Sequence, residues 1–135
     1  MSDNPAAKST HVIASIRYTN ARAGIDWLVT TFGADAREVH AGPDGAIVHS
    51  EIWFGKGCVM IGTLKGDGFP PTAPGQGSIY IVADSAASVD TLHARAVAAG
   101  ARITISLRDT DYGSHDFGCL DPEGNFWGFG TYAPL

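Results

Sequence analysis

Few residues in this chain are equipped for chemistry. Ile47 to Phe54 reads IVHSEIWF, and side chains alternate along a strand, so His49, Glu51 and Trp53 fall on one face. A histidine and a glutamate two residues apart can serve as a general base, anchor a polar ligand group, or contribute to a metal site. The phrases VMIG and NFWG end on Gly62 and Gly128, 66 positions apart. The same offset carries His49 onto His115, Glu51 onto Phe117 and Trp53 onto Cys119. Two histidines at related positions could hold two ends of a ligand or, with Glu51, a divalent ion. Arg17 would supply a cation for Glu51, for a ligand anion, or for an enolate formed from a carbon acid. Trp53, Tyr80, Tyr112, Phe117 and Phe126 offer flat faces for stacking, and Met60 an adaptable apolar one.

Other chemistries find little support. Cys58 and Cys119 lack zinc-site spacing, and a single pair makes no disulfide framework. No Ser-His-Asp or Cys-His arrangement can be argued. Gly66-Asp67-Gly68 is not followed by the strand-to-helix junction of a phosphate loop. The net charge is -5 and no Lys/Arg cluster exists, which argues against nucleic acid and anionic membranes as partners. Asp109, Asp111, Asp116 and Asp121 read as a solvated rim and a turn, and His11, His40 and His93 as surface residues. MSDNPAAKST has no apolar signal core, and no run is long enough to span a bilayer. A soluble, cytoplasmic protein with reduced thiols is expected.

The elements that must position these residues come in two similar sets. Residues 1–10 read as a loose arm. His11 to Tyr18 reads as a strand, Ala21 to Phe32 as a helix capped near Thr19-Asn20 and ended by Gly33, and Asp35 to His40 as a short strand. Ile47–Phe54 and Cys58–Gly62 form a hairpin on Gly55-Lys56-Gly57. Lys65 to Gln76, dense in Gly and Pro, is a linker. Gly77–Val82 is then a strand, and Asp84 or Ser85 caps a helix carrying Val89, Leu92, Ala96 and Val97. Ala101–Leu107 is a strand, and a second hairpin turns on Asp121-Pro122-Glu123-Gly124. Each half reads β-α-β-β-β, so an internal duplication is expected, with modules at 11–64 and 77–132 of one domain. Trp27, Phe32, Trp127 and Phe129 read as core. Val48, Ser50, Ile52 and Phe54 read as the helix-facing side of their strand.

This order, with IRYTNARAGIDWLVTTFGA early and YGSHDFGCLDPEGNFWGFGTY late, resembles the glyoxalase/bleomycin-resistance/dioxygenase (vicinal oxygen chelate) superfamily, nearest its small glyoxalase-like, phosphonate-operon-B-like branch. The resemblance spans Val12 to Tyr132. It implies an α+β fold: two tandem βαβββ modules, a cupped, mostly antiparallel eight-stranded sheet, helices outside, and a homodimer. It leaves function open among lyases, isomerases, dioxygenases and antibiotic-binding proteins.

Metal-dependent members hold an ion with four side chains, typically two His and two Glu. Counting from shared landmarks places those positions at Ile13, Gly62, Ser78 and Gly128, none of which suits a cation. The resemblance therefore implies a cup without the usual metal and without a cofactor. The expected ligand-facing residues are Arg17, His49, Glu51, Trp53, Met60, Tyr80, Tyr112, His115, Phe117 and Phe126. The favoured expectation is a metal-independent binding protein for an aromatic or amphiphilic small molecule. The alternative is a lyase, isomerase or dioxygenase using His49, Glu51 and His115, with His49 or Glu51 as base.

Overall fold

The computed structural model describes residues 12–66 and 73–134. The expected loose arm and His11 lie outside the described residues, as do residues 67–72 of the expected linker. The first module is β1 (Ala14–Tyr18), α1 (Ala21–Phe32), β2 (Asp35–Ala41), β3 (Ile47–Phe54) and β4 (Gly57–Thr63). The second is β5 (Ser78–Val82), α2 (Ala86–Ala98), β6 (Arg102–Asp109), β7 (His115–Leu120) and β8 (Phe126–Gly130). The strands form two four-stranded sheets, ordered β1-β4-β3-β2 and β5-β8-β7-β6. In each, the first strand runs parallel to the last and the remaining pairs are antiparallel. This is the duplicated α+β architecture expected from the sequence, with the expected eight-stranded sheet divided into two of four strands that are not hydrogen-bonded to each other.

Local chemistry sets the element ends. The Asn20 side chain accepts from the Ala23 amide at 3.1 Å, which satisfies one of the free amides at the start of α1. Gly33 ends that helix at φ 71°, and its amide returns to the Val29 carbonyl at 2.9 Å. Ser85 caps α2 by accepting from Ser88 at 3.1 Å. The two caps fall at corresponding places, 65 residues apart.

One core serves both modules. Ile25, Leu28 and Phe32 of α1, Ile52 of β3, Val59 and Ile61 of β4, Val89 and Ala96 of α2, Phe117 and Cys119 of β7, and Trp127 and Phe129 of β8 are all buried within it. Phe32 packs on Phe129 at 4.4 Å between ring centroids, and Phe54 on Trp127 at 5.6 Å. These contacts join the helix-facing sides of the two sheets. Val97 departs from the expected apolar stripe of α2, at 54% exposed, and Val29 of α1 is 36% exposed. Each falls at the edge of its helix's buried arc.

The second turn adds a polar staple inside the core. Asp121 is 5% exposed and accepts from the Glu123 and Asn125 amides, the Asn125 side chain, Trp127 Nε1 and the Tyr18 hydroxyl. A buried carboxylate needs such donors to be tolerated. Burial, then the Asp121 charge, pushes the Tyr18 phenol well above its ordinary value. Glu123 beside it accepts from the Thr19 and Asn20 amides at 2.7 and 2.8 Å, at the start of α1. The second hairpin thus clasps the first module.

Candidate functional site

Each sheet has a second face, turned away from the shared core. On the first sheet it carries Arg17, Met60, Gly62, Glu51 and Trp53; on the second, Tyr80, Val82, Phe126, Gly118, Gly128 and Gly130. The alternation of burial along β3 and the strand pairings of β4, β7 and β8 mark these faces, with Ile52, Val59, Ile61, Cys119, Trp127 and Phe129 on the core side. Tyr80 and Val82 are 43% and 50% exposed, so the face of the second module is open in the single chain.

The second module's open face is aromatic rings laid on glycine. A Cβ added at Gly118 would stand 2.5 Å from two ring carbons of Phe126. One at Gly128 would stand 3.1 Å from Phe126 and 3.4 Å from Tyr80. One at Gly130 would strike the Tyr80 hydroxyl and lie 2.7 Å from Asp116 Cβ. Glycine lets the rings lie flat because nothing stands between them and the backbone. The Tyr80 hydroxyl is held in turn, accepting from the Tyr132 amide at 3.1 Å. Arg108 pairs with Asp116 at 2.9 Å along this face, so Asp116 is a buried partner and not a solvated rim residue.

The first module's open face is polar. Arg37 binds Asp35 at 2.7 Å and lies 4.7 Å above the Trp53 ring. Trp53 Nε1 donates to Glu51 at 3.0 Å. Burial, and next the Glu51 charge, pushes the Cys58 thiol upward, with Arg37 opposing. The Arg17 stem runs beside Gly62, its Cδ 3.7 Å from where a Cβ would stand, and Nη1 donates to the Thr63 carbonyl at 3.0 Å. Among the described residues Arg17 and Glu51 form no ion pair with each other. The anticipated pairing is replaced by two separate bonds.

Arg17, Glu51, Trp53 and Met60 thus share one open face, and Tyr80 and Phe126 the other. Tyr112 is 63% exposed and packs edge-on against Tyr132 at 6.0 Å, beyond the end of the second sheet. His49 is half-buried near the sheet edge, its ring stacked on His40 at 6.3 Å; it is paired with a histidine across the strands and not with His115.

His115 and Phe117 lie on the side opposite to the one expected. Phe117 is 1% exposed, stacked on Phe129 at 5.3 Å and edge-on to His93 of α2 at 5.1 Å. Cys119 is fully buried beside it, its thiol pushed up to about 12 by burial and then by Asp121. The His115 ring bonds Asp90 of α2 at 2.6 Å and Asp109 of β6 at 2.8 Å, which raise its pKa. The physical reason is one residue of turn. Ser15 and Tyr80, 65 apart like the helix caps, pair with Met60 and Gly128, which are 68 apart. Across the hairpins, Met60 pairs with Glu51 and Gly128 with Gly118, 67 apart. A match of 67 in place of the expected 66 is a one-residue shift, which reverses the face assigned to every β7 side chain. Glu51 therefore corresponds to Gly118, and His49 to Asp116. Gly62 corresponds to Gly130, two places beyond the match drawn from the sequence. Val48 also departs from the expected core face: β2–β3 shifts register there, and Val48 is 40% exposed against Gly42.

The positions that resemblance assigns to metal ligands do not fit a metal. Ile13 offers no donor and precedes β1, and the Ser78 hydroxyl is a poor ligand. At Gly128 the room a carboxylate would need is taken by Phe126 and Tyr80, and at Gly62 the Val48 carbonyl stands 2.9 Å from where a Cβ would be. Among the described residues no three His, Cys, Asp or Glu side chains are gathered to hold an ion. No helix among them is long and apolar enough to cross a membrane.

Sequence reasoning missed the glycine floor and the Asp121 staple. Gly128 and Gly130 alternate with Trp127 and Phe129, a period of two that separates a smooth face from a core face, and this could have shown the floor. The staple had no local signal, because Tyr18 reaches Asp121 from 103 residues away.

Comparison with known proteins bears on this geometry. The family model of the Glyoxalase/Bleomycin resistance protein/Dioxygenase superfamily matches residues 9–129. TioX from Micromonospora sp. ML1 superposes with a TM-score of 0.76 at 27% identity, over 92% of this chain and 99% of that one. TnmS3, an antibiotic binding protein from Streptomyces sp. CB03234, superposes at 0.69 and 20% identity, over 89% and 93%. Lactoylglutathione lyase from Agrobacterium tumefaciens gives 0.69 at 22% identity, over 90% and 92%. No curated protein sequence matches the chain.

Proposed function

Since the chain belongs to the Glyoxalase/Bleomycin resistance protein/Dioxygenase superfamily, we propose that it is a metal-independent binding protein that sequesters a flat aromatic or amphiphilic small molecule between open sheet faces. The observation that carries this reading is the pair of rings, Phe126 and Tyr80, lying on Gly118, Gly128 and Gly130, of which Gly128 is a position that resemblance assigns to a metal ligand. Rings without side chains beneath them give a broad surface, and stacking on such a surface adds to the gain from apolar burial. TnmS3 is an antibiotic binding protein of the same fold, and an antibiotic is a ligand of the right kind.

The cleft is completed by a second copy. The modules of one chain meet through their helix-facing sides, which leaves Tyr80 and Val82 uncovered. A homodimer that lays the first-module face of one protomer over the second-module face of its partner encloses a ligand between Arg17, Glu51, Met60 and Trp53 on one side and Tyr80 and Phe126 on the other. Burial of the ligand on both sides is what a drug-sized site needs. An enzyme built on His49, Glu51 and His115 has less support, because His115 faces α2 and shares no face with the other two.

A thermal-shift screen of flat aromatic compounds in EDTA tests the reading. A ligand at 100 times its dissociation constant stabilises by about 2.7 kcal/mol. The expected result is a clear upward shift for some compounds, reduced in Phe126→Ala and in Tyr80→Ala. Shifts that appear only after a divalent metal is added would overturn it.

A further inference from the structure

We infer that the bound molecule carries an anionic group, a carboxylate in its simplest form, and that Arg17 receives it. This rests on the binding reading above and names its ligand class. The cations of the two open faces are not alike. Arg37 is neutralised by Asp35 at 2.7 Å and stacked on Trp53, and Arg108 is neutralised by Asp116 at 2.9 Å. Arg17 forms no ion pair among the described residues, and its one hydrogen bond there goes to a neutral acceptor, the Thr63 carbonyl. Glu51, a carboxylate on the same face, instead accepts from the Trp53 indole. A half-buried guanidinium with most of its five donors unused is a fork awaiting a planar anion.

The surroundings favour such a contact. Gly62 stands beside Arg17 across the parallel strand pair, so no side chain from β4 crowds the stem. The Thr63 bond fixes one edge of the guanidinium and leaves the rest for a bidentate partner. Once a ligand fills the cleft, water leaves and the field of an uncompensated cation strengthens. A neutral ligand would strand that charge, whereas a carboxylate would cancel it. The aromatic part of the same molecule then lies on the Phe126 and Tyr80 rings.

Naphthalene-2-carboxylate and naphthalene-2-carboxamide, matched in shape and differing in charge, test this by titration of intact protein at neutral pH. The expected result is that the acid binds about tenfold or more tightly than the amide. In Arg17→Met that preference vanishes, the acid losing at least about tenfold more affinity than the amide, and in Arg17→Lys it survives in part, since charge remains but the fork is lost. Equal binding of acid and amide by the wild type, or a preference that persists in Arg17→Met, would overturn the anion assignment and leave the aromatic site standing. If neither compound binds, both readings fall. Unchanged melting of both variants excludes misfolding as the cause.

Discussion

The two hairpins share a topology and differ in what their turns do. Gly55-Lys56 is a two-residue, exposed corner between β3 and β4. Its counterpart, Pro122-Glu123-Gly124 closed by Asp121 and Asn125, is one residue longer, and it folds the Asp121 carboxylate into the core to bind Tyr18, Asn125 and Trp127. That residue has two consequences. It makes the turn a clasp on the other module, and it moves the match between the hairpins from 66 residues to 67, so that buried Phe117 corresponds to buried Ser50 and Gly118 to Glu51. The duplicated strands keep their faces, and what changes between the copies is the side chain each position carries.

The faces diverge in the same way. The first module presents Arg17, Glu51 and Trp53, each with a fixed polar contact. The second presents rings on glycine. Neither face alone resembles a finished ligand site; together they combine charge with stacking.

The largest expected effect breaks the turn comparison. Asp121→Ala strands buried donors on Tyr18, Asn125 and Trp127, and should cost about 3 kcal/mol or more in urea unfolding. Lys56→Ala at the opposite turn should stay within about 0.5 kcal/mol. Equal losses would mean that the second turn is no clasp.

Next comes the glycine floor. Gly118→Ala places a methyl group against the Phe126 ring and should cost about 1–3 kcal/mol while weakening aromatic ligands. Gly57→Ala, with nothing within 4 Å of the added methyl, should be nearly silent. Matching ligand affinity in the two variants would remove the role assigned to the rings.

A smaller effect is a pH dependence set by His115. Asp90 and Asp109 raise the His115 pKa in the folded chain. The stabilisation is therefore complete below the unfolded histidine value, about 6.5, and is lost as pH rises through the raised folded value. Melting temperature should decline across that window, and the decline should be absent in His115→Asn. His49→Asn, stacked on His40 at the other sheet edge, should retain it. The smallest effect is on thiols. Half-buried Cys58 should react slowly with a thiol reagent at neutral pH, and Cys119, with its thiol pushed up to about 12, only on unfolding.

Much of the architecture was legible in the sequence. Three-and-four spacing of Ile25, Leu28 and Phe32 defined α1, Gly33 ended it, and alternation in IVHSEIWF separated Ile52 from Glu51. The candidate site was legible on β1, β3, β4, β5 and β8, where Arg17, Glu51, Trp53, Met60, Tyr80 and Phe126 take the expected faces. It failed at β7, because the offset was drawn from matching tetrapeptides and not from strand pairing. Register is a long-range property: Gly118 opposite Gly128 is fixed by turn length and by core packing of Phe117, neither of which short phrases reveal.

Native mass spectrometry of EDTA-treated protein loaded with a flat aromatic ligand tests the central claim most directly. The account predicts a two-chain species that retains the ligand and carries no metal mass. A ligand held only when a divalent ion is present, or held equally well by a Phe126→Ala, Tyr80→Ala double variant, would contradict it.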